Sequence, residues 1–106
     1  MIRGHVFRVR MPRDTWGHEQ QGVRYAVVVQ STHLELSTVL VAPTSTSARP
    51  ATFRPEVEVG GTQTRVLVEQ VGVVDPGRLG DSAGMLTSDE QRSVDRALRV
   101  VLGLAE

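Results

Sequence analysis

The residues best suited to chemistry lie close together near the start of the chain. A polar segment bounded by Gly17 and Gly22 leads into Arg24 and then into an apolar run at 25–29. A guanidinium presents a planar fork that pairs with phosphate through two hydrogen bonds, and a rigid strand is able to aim it from the strand's first position. We therefore predict a phosphate-binding loop anchored on a buried strand. A surface hairpin connection with an incidental arginine explains the same spacing and stays open.

Hydroxyl and aromatic side chains add to this group. Thr44-Ser45-Thr46-Ser47 follows the next apolar stretch. Such a run is usually a solvated loop, but it also places a hydroxyl at a strand end, where it can donate to a phosphate or a leaving oxygen. Trp16, the only tryptophan, precedes the glycine-bounded segment and either stacks on a base or folds back over the core.

The composition indicates one globular domain covering residues 1–106. Hydrophobic residues make up 40% of the chain and charged residues 23%, and no apolar run approaches the roughly 20 residues that span a bilayer. The amino terminus meets Arg3 at once and lacks a signal-peptide core, so we expect a cytoplasmic protein. Cysteine is absent and the three histidines are scattered, so we expect no disulfide, no metal site and no cofactor.

The charges are unevenly distributed although their sum is zero. All twelve basic residues are arginines, and residues 1–24 hold five of them against two acidic residues. The arginine-rich amino-terminal hairpin is therefore a candidate phosphate-contacting face, although arginines that only solvate strands would give the same pattern. A globally basic nucleic-acid-binding domain is excluded.

Apolar and alternating runs predict about five strands that must position these residues. We place the strands at residues 5–10, 24–31, 37–42, 55–59 and 62–75, the last with a bend at Gly72. Pro43 is expected to stop the third strand because proline donates no ladder hydrogen bond, and Gly60-Gly61 is expected to form a hairpin turn. Residues 75–86 are glycine-rich and are predicted as turns, with short helical character at most around Gly77 to Leu79.

One helix is predicted at the carboxyl end. Thr87 is followed three residues later by Glu90, the spacing of a capping box, and Gly103 ends the segment. Asp95 and Arg99 are expected to pair on its water-facing side. The apolar face consists of Val94, Ala97, Leu98 and Val101. The order of elements predicts a mainly β fold, a small and strongly bent antiparallel sheet or barrel with the helix covering one opening.

Four stretches, in order, resemble the motifs of the MazF/PemK family of toxin endoribonucleases. They are Arg3-Gly4-His5-Val6, the segment 17–24 with the apolar strand after it, Ala42-Pro43-Thr44-Ser45, and Val68-Glu69-Gln70-Val71 with Asp75, Arg78 and Leu79. The second is similar to Gly-Ser-Glu-Gln-x-Gly-x-Arg-Pro, the most recognisable motif of the family, and the match covers nearly the whole chain. The resemblance implies a small SH3-like or CcdB-like antiparallel β-barrel with a carboxy-terminal helix.

The resemblance also implies an activity. It is the sequence-selective cleavage of single-stranded RNA by attack of the ribose 2′-hydroxyl on the adjacent phosphate, without a metal, to leave 2′,3′-cyclic phosphate and 5′-hydroxyl ends. Family members act as homodimers and are silenced by a cognate antitoxin whose extended tail lies in the RNA groove.

The family's catalytic arginine maps to Arg24 and its catalytic threonine to Thr44. Arg24 would stabilise the charge of the transition state first and transfer protons second, because arginine is a poor proton acceptor. Thr44 would orient a phosphate oxygen or the leaving group, and Glu19 would take the 2′-hydroxyl proton. The candidate RNA-binding residues are Trp16, His18, Gln20, Gln21, Tyr25 and Ser45.

Three residues depart from the family pattern. Tyr25 replaces a proline and adds an aromatic group near the site, whereas His5 replaces an aspartate and Gly72 stands where many relatives carry a basic residue.

Two other functions stay open. One is a CcdB-like topoisomerase-binding toxin, although its tryptophan-containing carboxyl terminus is missing here, and the other is a catalytically silent SH3-like binding module.

Overall fold

Seven strands precede one helix in the part of the chain that the structure describes. The structure is a computed structural model, and it describes residues 2–11 and 22–105. The strands are β1 (His5–Met11), β2 (Gly22–Val28), β3 (Val39–Ser45), β4 (Glu56–Val59), β5 (Thr62–Val66), β6 (Gly72–Val74) and β7 (Leu79–Met85). The helix α1 spans Ser88–Leu102, and no helix within these residues is long and apolar enough to cross a membrane.

The strands form one curled antiparallel sheet, in the order β4-β5-β3-β2-β1-β7. β6 also pairs with β3, so that one edge of β3 has two successive partners, β6 along Val39–Val41 and β5 along Thr44 and Ser45. The right-handed twist of the strands bends this sheet into a half-barrel. The predicted mainly β fold with a carboxy-terminal helix is therefore confirmed.

Apolar side chains are buried on both faces of the central strands. Because side chains alternate along a strand, Val27 and Ala26 of β2 point to opposite sides of the sheet. The cluster that includes α1 contains Val6, Val27, Val29, Ala42, Val57, Val59, Val66, Val68, Leu86, Val94 and Ala97. The second cluster contains Val9, Ala26, Val28, Val39, Val41 and Val74. Burial on both faces explains the continuous apolar run at residues 26–29 of the sequence.

Both ends of α1 are capped as predicted. The Thr87 hydroxyl accepts from the Glu90 amide at 3.1 Å while Glu90 Oε1 accepts from the Thr87 amide at 2.9 Å, and Gly103 ends the helix with φ +70°. The predicted pair of Asp95 with Arg99 is wrong. Arg3 reaches Asp95 instead, at 2.5 Å, and also donates to the carbonyl of Val29 at 2.8 Å. Arg3 thus ties α1 to the segment that follows β2.

The prediction that Pro43 ends the third strand is wrong, because β3 continues to Ser45. On one edge of β3, Pro43 lies between the residues that pair with β6 and those that pair with β5, and on the other edge it pairs in register with Ala26 of β2. Its carbonyl accepts from the Leu67 amide at 2.8 Å. The extension carries Thr44 and Ser45 into the sheet, so these two residues are not part of a solvated loop.

Two other predictions fail between β4 and α1. The predicted arm at 62–75 bends earlier than Gly72, at a 3₁₀ turn over Val68–Gln70, where Glu69 accepts from Arg54 at 2.6 Å. Residues 79–85, predicted as turns, form β7, which pairs with β1 across two register irregularities. The hairpin at Gly60-Gly61 is confirmed, since both residues have the positive φ that such a turn requires, +58° and +82°.

Candidate active site

A pocket of about 280 Å³ opens where the ends of β2 and β3 meet the β4–β5 hairpin. Of the nine residues that line it within the described part of the chain, six carry a hydroxyl group. The lining consists of Arg24, Tyr25, Thr44, Ser45, Thr46, Val59, Gly60, Thr62 and Thr64. The pocket therefore combines one cation with many neutral hydrogen-bonding groups.

Arg24 is the third residue of β2, and not the first as the sequence suggested. It pairs with Val9 of β1, and its side chain is buried, with only 5% of the residue exposed. Nη2 donates to the Thr44 carbonyl at 2.9 Å. Because a guanidinium is planar and rigid, a bond at one end of the fork also orients its other N–H groups. The arginine is thus held in a fixed position by the sheet.

Thr44 and Ser45 come from the end of β3 beyond Pro43, and each is 7% exposed. The Thr44 hydroxyl donates to the Tyr25 carbonyl at 3.3 Å, a long contact that a stronger acceptor is able to replace. Ser45 Oγ lies 3.3 Å from Ser47 Oγ and accepts from the Ser47 amide. The structure thus brings four of the candidate site residues to one pocket: Arg24, Thr44, Ser45 and Tyr25.

The β4–β5 hairpin supplies a wall of the pocket that the sequence reasoning missed. Val59 pairs with Thr62 and Val57 with Thr64 across the two strands. Thr64 is 6% exposed, and its place opposite the end of β3 follows from the pairing of Val66 with Thr44. The alternation of Thr62, Thr64 and Val66 on one face was visible in the sequence, but the pairing of β5 with β3 was not.

Several predicted site residues lie outside the part of the chain that the structure describes. They are Trp16, His18, Glu19, Gln20 and Gln21. Tyr25, by contrast, lines the pocket and is 41% exposed, so its ring is accessible for stacking.

The amino-terminal arginines do not all converge on the pocket. Arg3 pairs with Asp95, while Arg8 and Arg10 lie in a separate open depression together with Arg78 and Asp81. Arg8 is nevertheless the register partner of Tyr25, so this depression begins next to the pocket. The predicted arginine-rich face is therefore only partly continuous with Arg24.

His5 contacts a serine hydroxyl and an aromatic ring outside the pocket. Its Nε2 lies 2.7 Å from the Ser82 hydroxyl, and its ring stacks on Phe7.

Across residues 2–11 and 22–105, no group of three His, Cys, Asp or Glu side chains is placed to hold a metal ion. The described pocket offers a buried guanidinium and hydroxyls, which suit a phosphodiester and its sugar or base.

Comparison with known proteins adds sequence and structural relatives. The profile of the PemK-like, MazF-like toxin family of type II toxin–antitoxin systems matches residues 2–102. A Mycobacterium tuberculosis protein named "Putative toxin Rv3098A" is 47% identical over 105 residues, which cover 98% of this chain and 99% of that protein.

Solved structures with low sequence identity share the fold. An endoribonuclease from a mycobacterial species, in complex with its cognate antitoxin, aligns with a TM-score of 0.84 at 18% identity, over 100% of this chain and 98% of that one. MazF of Deinococcus radiodurans aligns with a TM-score of 0.81 at 21% identity, over 98% and 97%. The family profile and the 47% identical relative extend over almost the whole sequence. The chain therefore belongs to the PemK-like, MazF-like toxin family of type II toxin–antitoxin systems.

Proposed function

We propose that this protein is a sequence-selective endoribonuclease that cleaves single-stranded RNA without a metal ion. The observation that carries the proposal is the 2.9 Å hydrogen bond from Arg24 to Thr44, which joins the two candidate catalytic residues in one pocket. Membership of the toxin family supports the same function, as do the structural neighbours named endoribonucleases.

In the proposed reaction the ribose 2′-oxygen attacks phosphorus and forms a new O2′–P bond. The P–O5′ bond breaks, which leaves a 2′,3′-cyclic phosphate and a 5′-hydroxyl. The 2′-hydroxyl loses its proton to a base, for which Glu19 is our candidate, and the departing 5′-oxygen gains a proton from Arg24 or from solvent water. Negative charge concentrates on the non-bridging oxygens between these events, and a preorganised donor lowers the energy of that state.

Arg24 is our candidate for this stabilisation. A guanidinium buried among strands interacts more strongly with developing charge than one in water, and it needs little reorganisation. Thr44 would donate its hydroxyl to a phosphate oxygen or to the leaving oxygen, giving up its long contact with Tyr25. Tyr25 and Ser45 would contact the RNA, together with Trp16, His18, Gln20 and Gln21.

The proposed setting is that of a regulated toxin in the cytoplasm. A cognate antitoxin would bind the protein, and the mycobacterial neighbour solved in complex with its own cognate antitoxin supports this. The antitoxin would occupy the RNA groove. The protein would act as a single-domain homodimer. The last turn of α1 and the residues after it support this, because Val100, Leu102 and Leu104 are between 55% and 64% exposed and a partner subunit would bury them.

The test is cleavage of a mixed-sequence single-stranded RNA by the purified protein in excess EDTA, with the new ends mapped. Wild type is compared with Arg24→Ala and Thr44→Ala, and Arg92→Ala serves as the matched control. Arg92 lies on the exposed side of α1, where it pairs with Asp89. Thermal melting of each variant shows that it is folded.

We expect cleavage at a few short motifs, with cyclic phosphate ends, in wild type and Arg92→Ala. Both pocket variants should lose activity by roughly 10² to 10³, the usual cost of one lost transition-state donor. Intact RNA with folded, antitoxin-free wild type would refute the proposal. Cleavage that requires added divalent metal would refute the metal-independent mechanism.

A further inference from the structure

Thr64 carries a buried hydroxyl that nothing in the folding of the described chain explains. The residue is 6% exposed, and its Oγ1 is buried without a hydrogen-bond partner among residues 2–11 and 22–105. Most buried polar groups are hydrogen-bonded, because leaving one unpaired costs free energy. Similar partnerless oxygens occur on Glu69, Gln70 and Gln91, but those side chains are more exposed and do not line the pocket.

The strand register places Thr64 beside the candidate catalytic residues. Thr44 pairs with Val66, so Thr64, two residues before Val66, is a diagonal neighbour of Thr44 on the same face of the sheet. Thr64 lines the same pocket as Arg24. Thr64 therefore lies at the pocket where we propose that the reaction takes place.

The pocket that Thr64 shares with Arg24 is not lined by charge alone. Val59, which is almost fully buried, and the exposed ring of Tyr25 give this pocket apolar surfaces, while its threonines give it neutral hydroxyl groups. A charged phosphate prefers the guanidinium. A nucleobase has apolar faces and a polar edge, and proteins that recognise single-stranded RNA stack its bases and hydrogen-bond their edges.

We propose that Thr64 is a specificity-determining residue whose hydroxyl binds the edge of the nucleobase next to the scissile phosphate. The proposal rests on the ribonuclease function proposed above. A hydroxyl both donates and accepts, so Oγ1 is able to serve a carbonyl or an exocyclic amine of a base. The preferred base would supply the partner that Thr64 lacks among residues 2–11 and 22–105, and a base with the wrong edge would leave it unpaired.

Two variants separate this role from a structural one. Thr64→Val replaces the hydroxyl by a methyl group of similar size, so a hydroxyl without a structural partner predicts a melting temperature equal to or above that of wild type. Thr64→Ser keeps the hydroxyl and removes the methyl group. If the hydroxyl selects the base, Thr64→Ser should therefore restore the selectivity that Thr64→Val loses.

The experiment compares kcat/KM on sets of four RNA substrates. In one set only the base on the 5′ side of the mapped cleavage site is varied, and in the other set only the base on the 3′ side. Thr64→Val should lose roughly three- to tenfold on the preferred base and less on the other three, so that discrimination narrows. Thr64→Ser should keep the wild-type preference. The melting temperature of each variant is measured in the absence of RNA.

Three results would overturn the assignment. The first is a base preference of Thr64→Val that equals that of wild type, and the second is an equal loss of kcat/KM on all four substrates, which indicates a contact to the sugar or phosphate. The third is a clear drop in the melting temperature of Thr64→Val. The failure of the inference is distinguishable from that of the proposed function. If wild type cuts no RNA, both fail, whereas if wild type cuts and Thr64→Val keeps the same preference, only the role of Thr64 fails.

Discussion

Replacing Thr44 by valine isolates one hydroxyl of the candidate active site. Arg24 is held by the carbonyl oxygen of Thr44, not by its hydroxyl, so the 2.9 Å bond is retained in Thr44→Val. Valine has nearly the same shape as threonine, and the residue is 7% exposed, so little repacking is needed. The change removes Oγ1 and its 3.3 Å contact with the Tyr25 carbonyl.

The two expected effects differ greatly in size. Loss of one long hydrogen bond should lower the free energy of unfolding by about 0.5–1.5 kcal/mol, or shift the melting temperature by a few degrees. Loss of a transition-state donor should lower kcat by roughly 10² to 10³, about 2.7–4 kcal/mol. A domain of ordinary stability, about 5–15 kcal/mol, remains almost fully folded after the smaller change. Unfolding therefore cannot account for a hundredfold loss of activity.

The assay is single-turnover cleavage of an RNA that contains one preferred site, with enzyme in excess and EDTA present. Thr44→Ser is the control, because it keeps the hydroxyl and should retain most of the wild-type rate. A folded Thr44→Val that cleaves within about threefold of wild type would refute a catalytic role for the hydroxyl, since such a change is well below the cost of a lost transition-state donor. Equal inactivity of the serine and valine variants would show that packing, and not the hydroxyl, matters.

Two further predictions concern stability and are measured by urea denaturation. Arg3→Ala should lower the free energy of unfolding by about 1–2 kcal/mol, because the guanidinium joins Asp95 at 2.5 Å and the Val29 carbonyl at 2.8 Å. Arg92→Ala, which breaks an exposed Arg–Asp pair on the same helix, should change it by less than about 0.5 kcal/mol, and equal effects would contradict the anchoring role of Arg3. Gly4→Ala should cost about 1–3 kcal/mol, because Gly4 has φ +92° and an added Cβ would lie 2.5 Å from Gln91 Oε1. The double variant Gly4→Ala/Gln91→Ala should recover only the steric part, so full recovery would argue against backbone strain.

The parts of the fold that the sequence predicted well are those set by local chemistry. The capping box at Thr87 and Glu90, the glycine at position 103 and the Gly60-Gly61 turn each depend on a few neighbouring residues. The apolar run of β2 is equally local. Such signals act within a few residues, so they do not depend on how distant parts of the chain pack.

The parts that failed depend on partners distant in sequence. β7, Leu-Gly-Asp-Ser-Ala-Gly-Met, has poor intrinsic strand propensity and forms because β1 offers it an edge. The two strands approach closely at Gly80, where an added Cβ would lie 3.2 Å from the Arg8 carbonyl oxygen. Pro43 lies inside β3 where one edge of that strand changes its partner from β6 to β5.

The sequence indicated only those residues of the candidate pocket that belong to local motifs. Arg24 and Thr44 were found through their likeness to family motifs, which are short and local. Thr64 was missed because nothing near it in the sequence indicates that β5 pairs with β3 next to Thr44. A pocket formed across three strands becomes visible only once the strand register is known.

The distribution of buried polar residues links the fold to the site. Within residues 2–11 and 22–105, five polar or charged residues are buried: Arg24, Gln30, Thr44, Ser45 and Thr64. Gln30 is explained by structure, since its side-chain amide donates to the Leu34 carbonyl and accepts from the Leu40 amide. The other four all line one pocket. Arg24, Thr44 and Ser45 are hydrogen-bonded within the fold, as Gln30 is, but unlike Gln30 they share one pocket with Thr64. Burying a guanidinium and hydroxyls contributes less to stability than apolar residues would, and their concentration at a single place is what the proposed RNA-binding site requires.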